Sequence, residues 1–447
     1  MTEAPERQLP AGARAGVLEP PQPTPTPPPT GFVDRPLWSR TRSGRLRGLI
    51  DPVVVGLVSL VVYALHGFNG NLGHDLAVFT YGGEHVAAGV PPYAGIFNSV
   101  GPLADAVPGA AVWLGHLVEV GPVLSIRVCF TLLSALCCAL LCVLARDTFG
   151  SRAAGLLAPA VFLTFERFLE LASDGPREKT TMVVFLLVTL ILAGRRRWLA
   201  AGVFTALATL TWQPVFLVAV VAVAVGIATT RKNRPGSFVR FLVGGAIPSA
   251  LTVLWFVLAH ALRVAWNGFY VVNVSYTQQP SALSQPGLVW SKLWPDYHVT
   301  LFIAVVGLVA LLVLSVRALP FVRRSAGVVS PVPARLVALG AGCLVGSAWT
   351  IAVINGGPDL FELLPFAALG IAGATVLGVA HLPRRSGTAA VALVVCTGVV
   401  GATVESIATR DNTLGLLRAD VSAVLGTQPS DATIFAMDAP EVLAIAQ

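Results

Sequence analysis

LADAVPGAAVWLGHLV, residues 103–118, is apolar but short, and Pro108, Gly109 and Gly115 interrupt it. Whether it crosses a bilayer or lies along one decides the orientation of every later segment. Around it stand eleven further apolar runs, at 51–68, 122–145, 153–171, 180–194, 198–212, 214–230, 237–261, 299–316, 334–354, 359–380 and 387–405. A hydrocarbon core about 30 Å thick takes about 20 apolar residues per helix. The chain therefore reads as an all-α polytopic membrane protein with about 11 transmembrane helices. Its mean hydropathy is +0.75, with 55% hydrophobic and 12% charged residues; soluble domains usually carry about 25% charged.

The basic residues choose between the two placements of 103–118. With that stretch on the surface, one set of alternate loops holds 20 Lys and Arg. They are Arg35, Arg40, Arg42, Arg45 and Arg47; Arg146 and Arg152; Arg195, Arg196 and Arg197; Arg231, Lys232, Arg234 and Arg240; Arg317, Arg323, Arg324 and Arg335; and Arg384 and Arg385. The other set holds six: Arg177, Lys179, Arg263, Lys292, Arg410 and Arg418. Cytoplasmic loops carry the excess of Lys and Arg. If 103–118 spanned, every later loop would change sides and break that rule. The expected protein is a multi-pass cell-membrane protein with a cytoplasmic amino terminus. Its first loop, 69–121, is external and holds interfacial helices, and the tail, 406–447, is also external.

The net charge of +7 is thus cytoplasmic-loop charge that meets anionic lipid headgroups, not a nucleic-acid footprint. Cys129, Cys137, Cys138, Cys142, Cys343 and Cys396 fall inside expected helices without CxxC spacing, as small core residues do. No cleavable signal precedes the first apolar run, which acts as an uncleaved anchor. Residues 1–48, with the run PPQPTPTPPPT, read as a disordered cytoplasmic tail. The transmembrane domain covers 49–405. Residues 406–447 combine a helical pattern with the strand-like run TIFAM, an αβ segment that stops at Gln447 in mid-pattern. A truncated or minimal external domain is expected there.

Ionisable groups at membrane depth need a cavity or a partner, so the polar residues near the external face are the candidates for chemistry. The first loop contributes Asp75 and, in a Pro/Gly turn, Tyr93 and Asn98. Glu166, Arg167 and Glu170 end the third apolar run, with Glu166 and Glu170 on one helical face. Asp174, Arg177, Glu178 and Lys179 follow, then the turn Trp212-Gln213-Pro214. The loop 262–298 brings Trp266, Tyr270, Asn273, Trp294, Asp296 and His298, and the last external hairpin brings Asn355, Asp359 and Glu362. Plainer roles compete with these. Trp266 and Trp294 suit an interfacial belt, Glu166 with Arg167 and Glu170 suits a structural ion pair, and Asp75 suits a helix N-cap. No HExxH or similar spacing joins His74, His85 or His298 to Asp75, so no metal site is expected.

The arrangement resembles the GT-C superfamily of integral-membrane glycosyltransferases, in particular its polyprenyl-phosphate-sugar-dependent branch of mannosyltransferase-like and lipid A arabinose-transferase-like enzymes. The resemblance covers about 40–405. HDLAVFTYGGEHVAAGVPPY places an acidic residue soon after the first helix, and NSVGPLADAVPGAAVWLG looks like the interfacial helix that follows. ARDTFGSRAAGLLAPAVFLT looks like the family's cytoplasmic turn, RRRWLAAGVFTALATLTWQP its Gly/Ala-rich helix, and GGPDLFELLPF its late-loop motif. Two departures stand out. Trp212-Gln213 replaces a Lys-Gln type of pair, so no lysine role is carried over. The first loop has Asp75 alone, with Glu84 apart, where many relatives carry two adjacent acids.

The resemblance implies transfer of a sugar, mannose in the mannosyltransferase-like members, from a polyprenyl-phosphate donor to an acceptor hydroxyl at the external face, with inversion. Asp75 would be the general base. Arg127, inside the outer end of its helix, is the first choice for the donor phosphate, followed by Arg177, Lys179 and Arg263, because arginine's fork pairs with phosphate oxygens. Tyr93, Asn98, Glu166, Gln213, Tyr270 and Asp359 would line the substrate site. The acceptor is a glycan, lipid or protein that the sequence does not name; no cofactor is required, and a divalent cation is left open. A polytopic transporter or lipid flippase is the alternative, expected to show repeats and broken helices with midplane charges; no clear repeat is present.

Overall fold

The computed structural model describes residues 47–96, 98–230, 233–276, 286–324, 331–426 and 439–445, all within one compact unit, Arg40–Gln447. The Pro-rich tail and the TIFAM run fall outside them. In chain order the helices are α1 Arg47–Leu65, α2 His74–Ala87, α3 Leu103–His116, α4 Pro122–Phe149, α5 Arg152–Phe162, α6 Glu166–Asp174, α7 Glu178–Gly194, α8 Trp198–Thr209 and α9 Val215–Thr229. They continue with α10 Arg234–Leu258, α11 Leu262–Trp266, α12 Val272–Tyr276, α13 Pro286–Arg324, α14 Pro331–Ala352, α15 Leu364–Val379, α16 Arg384–Ala408, α17 Leu414–Leu425 and α18 Pro440–Ile445. A π turn, Asn267–Val271, joins α11 to α12, and a 3-10 turn, Gly357–Leu360, precedes α15. No strand occurs among the described residues.

Local chemistry sets the boundaries. Pro122 occupies the first turn of α4, where its missing N–H costs nothing. Gly150 closes that helix at φ 64°, a left-handed conformation natural to glycine. Ser151 then caps α5 by accepting from the Ala154 amide at 3.4 Å, and Asn233 caps α10 by accepting from Gly236 at 3.2 Å.

Among the described residues five helical stretches are long and apolar enough to cross a membrane: Pro122–Phe149, Arg234–Leu258, Gly287–Leu319, Val332–Ala352 and Arg384–Ala408, with shorter apolar helices at Leu49–Leu65, Arg152–Phe162, Trp198–Thr209, Val215–Thr229 and Leu364–Val379. The protein is a multi-pass membrane protein. Leu251 and Leu258 of α10 are exposed by 62% and 70%, a surface that only lipid tolerates over such a length. Where no hydrophobic force drives helices together, small residues let backbones approach. Gly370 of α15 faces the Gly307 carbonyl of α13 so closely that any Cβ would overlap it.

Three expected spans differ in detail. The run 153–171 breaks into α5 and α6, because Phe165 turns extended (φ −78°, ψ 101°) and the Thr164 hydroxyl donates to Val161 O at 2.7 Å. The run 359–380 contributes only α15 as an apolar helix, with the 3-10 turn before it. The run 299–316 sits inside α13, which kinks at His298 (φ 42°, ψ −124°). The stretch 103–118 becomes α3, 14 residues packed on α2. That is about 21 Å, against a hydrocarbon core of about 30 Å. Cys396 is exposed on α16, unlike the four buried cysteines Cys137, Cys138, Cys142 and Cys343, so it is not a core residue.

The 17 residues of α7, about 25 Å, separate two ends of the bundle. At one end Arg195 pairs with Asp147 at 2.8 Å and Arg335 donates to Gly194 O at 3.1 Å; these belong to the Arg-rich connections. At the other end stand Glu178 and Lys179, with the cavity described next.

Candidate active site

Residues from well-separated parts of the chain converge on a cavity of about 640 Å³. The first turn of α2 supplies Asp75, the α6–α7 connection Arg177, the start of α7 Glu178 and Lys179, and the α8–α9 turn Trp212 and Gln213. Asn273 of α12, Lys292 of α13, Trp349 of α14 and Asp359 complete the polar and aromatic lining.

Asp75 stands 56% exposed and accepts from Arg177 Nη1 at 2.6 Å. It is not an N-cap: Gly73 holds that position, and Asp75 lies inside the first turn. Arg177 is mostly buried, with Glu178 at 3.9 Å. Burial would lower its pKa, but Glu178, Asp75 and Asp359 outweigh that and hold the guanidinium above its ordinary value. Lys179 donates to Asp359 Oδ1 at 2.5 Å, lies 3.6 Å from Glu178 Oε1, and sits 5.2 Å from the centre of the Trp212 ring. The other Asp359 oxygen accepts from the amides of Asn355 and Gly356 at 2.6 and 3.1 Å. Burial pushes the Asp359 carboxyl up, but Lys179 and the two amides win and hold it below the usual carboxylate range. The site thus combines an exposed carboxylate, an arginine in contact with it, and a buried lysine already paired.

Gln213 builds the wall rather than the floor. Its amide donates to Ser99 O at 3.0 Å and Phe269 O at 3.2 Å, and Asn273 donates to the same two carbonyls. Asn98 fixes the loop before α3: it donates to both oxygens of buried Asp105, at 2.9 and 3.0 Å, and accepts from Val100 N at 3.0 Å. Burial pushes Asp105 up to about 7, although the Asn98 bonds oppose it. Tyr93, at φ 69°, donates its hydroxyl to Val100 O at 2.6 Å.

Behind that wall lies an almost wholly apolar groove of about 530 Å³ between α8 and α10, with Tyr93, Pro102, Phe216, Phe256, Trp266 and Phe269 in its lining. Residues two apart in sequence line the two spaces: Val100, Trp212 and Pro214 the cavity, and Pro102, Leu210 and Phe216 the groove. A polar chamber therefore adjoins a greasy channel.

Of the residues expected from sequence, Asp75, Arg177, Lys179, Gln213 and Asp359 meet at the cavity. Arg127 does not. It is fully buried, and its guanidinium donates to the carbonyls of Phe68 at 2.6 Å, Gly70 at 2.8 Å and Asn71 at 3.4 Å. Glu166 instead pairs with His298 at 2.9 Å, and Tyr270 lies exposed against the Trp266 ring, centroids 4.8 Å apart. Glu84 is buried in α2, where burial pushes its carboxyl up to about 8. Among the described residues no group of three or more His, Cys, Asp or Glu is placed to hold a metal ion. Lys292 and Trp349 were not singled out as site residues. A tryptophan near the end of an apolar helix reads as a belt residue, and only tertiary packing turns Trp349 towards the cavity.

No family model and no curated protein matches the chain. Solved structures do. ArnT from Cupriavidus metallidurans bound to undecaprenyl phosphate superposes with a TM-score of 0.56 at 13% identity, covering 90% of this chain and 85% of that one. Its apo state gives 0.52 at 15%, with the same coverage. An Archaeoglobus fulgidus oligosaccharyltransferase, in complex with Zn and sulfate, gives 0.50 at 15%, covering 89% of this chain and 61% of that one. At these identities the likeness is one of fold: over nine tenths of its length the chain shares the helical membrane-protein fold of ArnT.

Proposed function

We propose that this protein is a membrane glycosyltransferase that moves a sugar from a polyprenyl-phosphate donor to an acceptor hydroxyl, with inversion, at the external face of the cell membrane. The observation that carries the reading is the cavity in which exposed Asp75 meets the mostly buried Arg177 at 2.6 Å, next to the apolar groove. The groove has the chemistry to take an isoprenoid chain, and ArnT with its bound undecaprenyl phosphate supports that choice of donor. The sidedness follows from the charge bias of the loops.

Asp75 accepts the proton of the acceptor hydroxyl as its oxygen attacks the anomeric carbon. The bond from that carbon to the phosphate oxygen breaks, and the electron pair leaves on polyprenyl phosphate. Arg177 meets the phosphate with a paired, charged contact. Lys179 and Lys292 add positive charge nearby, and the proton on Asp75 passes to water. Arg127, engaged by three carbonyls, has no part in holding the phosphate. Trp212 and Trp349 offer apolar faces to a sugar ring.

Purified protein incubated with polyprenyl-phosphate sugars, mannose and arabinose among them, should release prenyl phosphate with at least one in the presence of mixed acceptors. Transport of an intact lipid-linked sugar across proteoliposomes, without prenyl-phosphate release from any donor, would overturn the reading.

A further inference from the structure

The connection between α1 and α2, residues 66–73, carries no catalytic group, yet it is fastened from two sides. From α4, Arg127 donates to the carbonyls of Phe68, Gly70 and Asn71. From the segment between α16 and α17, Asp411 accepts from the Asn71 amide at 2.8 Å, and the Leu414 amide donates to Asn69 O at 3.0 Å. The Asp174 carboxylate fills the space where a Cβ on Gly70 would stand, and His66 lies 3.7 Å from that carboxylate and 3.3 Å from the Ser406 carbonyl. Four carbonyls and one amide of this connection are thus tied to side chains and backbone far away in sequence. Asp75 begins four residues after Asn71.

A buried arginine inside an apolar helix is costly. A structural ion pair would repay that cost most simply. Arg127 spends its fork on backbone carbonyls instead, which fixes the position of a segment. We infer that Arg127 and Asp411 are positioning residues: they clamp 68–71 between α4 and the segment after α16, and so set where Asp75 stands against Arg177 and the acceptor. The inference rests on the transferase reading above. It also gives the segment 409–414 a role in the active site that its distance along the chain conceals.

Arg127→Lys endangers the fold, so the decisive variant is Asp411→Ala. Asp411 also accepts from the amide and hydroxyl of Thr413, at 3.0 and 2.7 Å. Thr413→Ala therefore serves as the control, since it loses the local turn contact and leaves Asn71 alone. Two measurements are made on full-length protein in detergent: hydrogen exchange of the 66–75 segment, and kcat and donor KM. A misplacement of about 1 Å in a reacting group costs on the order of 100-fold in rate. Loss of one fastening is expected to lower kcat about tenfold with donor KM unchanged, and to speed exchange in 66–75. Asp411→Asn, which still accepts the Asn71 amide, and Thr413→Ala should both stay near wild type. Faster exchange with unchanged kcat overturns the positioning role, and so does a kcat loss in Thr413→Ala equal to that of Asp411→Ala. A wild-type protein that turns over none of the donors sinks the transferase reading and the positioning role with it; an active wild type with an equally active Asp411→Ala sinks the positioning role alone.

Discussion

Replacing Lys179 with methionine removes the cation from a buried cluster while keeping its volume. Lys179 and Asp359 side chains are only 9% and 11% exposed, and their 2.5 Å contact is the closest ion pair of the cavity. Breaking one partner of such a pair leaves an uncompensated buried charge, at about 3–5 kcal/mol. Glu178, 3.6 Å from the lysine, adds a second carboxylate that loses its counter-ion. In the double variant Lys179→Met/Asp359→Asn the amide oxygen can still accept from Asn355 and Gly356, so most of the penalty should vanish. The expected coupling is about 2–3 kcal/mol, at the upper end for contacting residues. At roughly 1–2 °C per kcal/mol, scaled from smaller domains, the single variant should melt about 3–10 °C below wild type at pH 7, and the double variant closer to wild type.

The pH dependence has a sign. Asp359 has a folded pKa below its unfolded value. Its contribution to stability is fully present above the ordinary carboxylate pKa, about 3.9, and is lost as pH falls through the folded value. In Lys179→Met the cation that depresses that pKa is gone, so this acid-side loss should shrink. Melting within 1 °C of wild type for Lys179→Met, or a double variant less stable than the single, would refute the reasoning.

Other consequences can be checked separately. Burial pushes Asp105 up to about 7, so its own contribution to stability should fall as pH rises from about 4 to 7 and level off above. The total is at most about 4 kcal/mol at 1.36 kcal/mol per unit, and thermal melts of Asp105→Asn should lack that slope. Gly370→Val places a branched side chain against the Gly307 carbonyl and should abolish folded protein on size-exclusion chromatography, where the exposed-face change Leu251→Val should not. With Cys396 replaced, an impermeant maleimide should label Glu119→Cys from outside intact cells and leave Arg385→Cys unlabelled; both positions are exposed, and the reverse pattern would invert the topology.

Much of the fold was legible because a bilayer demands long apolar runs, and the residues between them carry the topology. The short stretch 103–118 was readable as an element apart from the long runs, and it forms the 14-residue helix α3 packed on α2. What escaped is local and tertiary. Nothing in the run 153–171 announces that Phe165 leaves the helix, since phenylalanine is at home in a helix and the break is stabilised by a Thr164 hydroxyl and the packing of Phe162 and Phe168, rings 4.6 Å apart. At the site, acidic and basic residues near one face could be collected from sequence, and Asp75, Arg177, Lys179, Gln213 and Asp359 do meet. Their pairing could not be read, because Lys179 and Asp359 are 180 residues apart. Arg127 misled for the same reason: an arginine in an apolar helix signals a buried anionic or dipolar partner, but not whether that partner is a phosphate or three backbone carbonyls.

The most direct test of the proposed chemistry is turnover of Asp75→Asn at saturating donor. Asparagine keeps the size and can still accept from Arg177, but it cannot take a proton from the acceptor hydroxyl. General-base catalysis contributes about 10²–10⁴-fold, so kcat should fall by that factor while donor KM and thermal stability stay near wild type. An Asp75→Asn protein that turns over at close to the wild-type rate would contradict the assignment of Asp75 as the base.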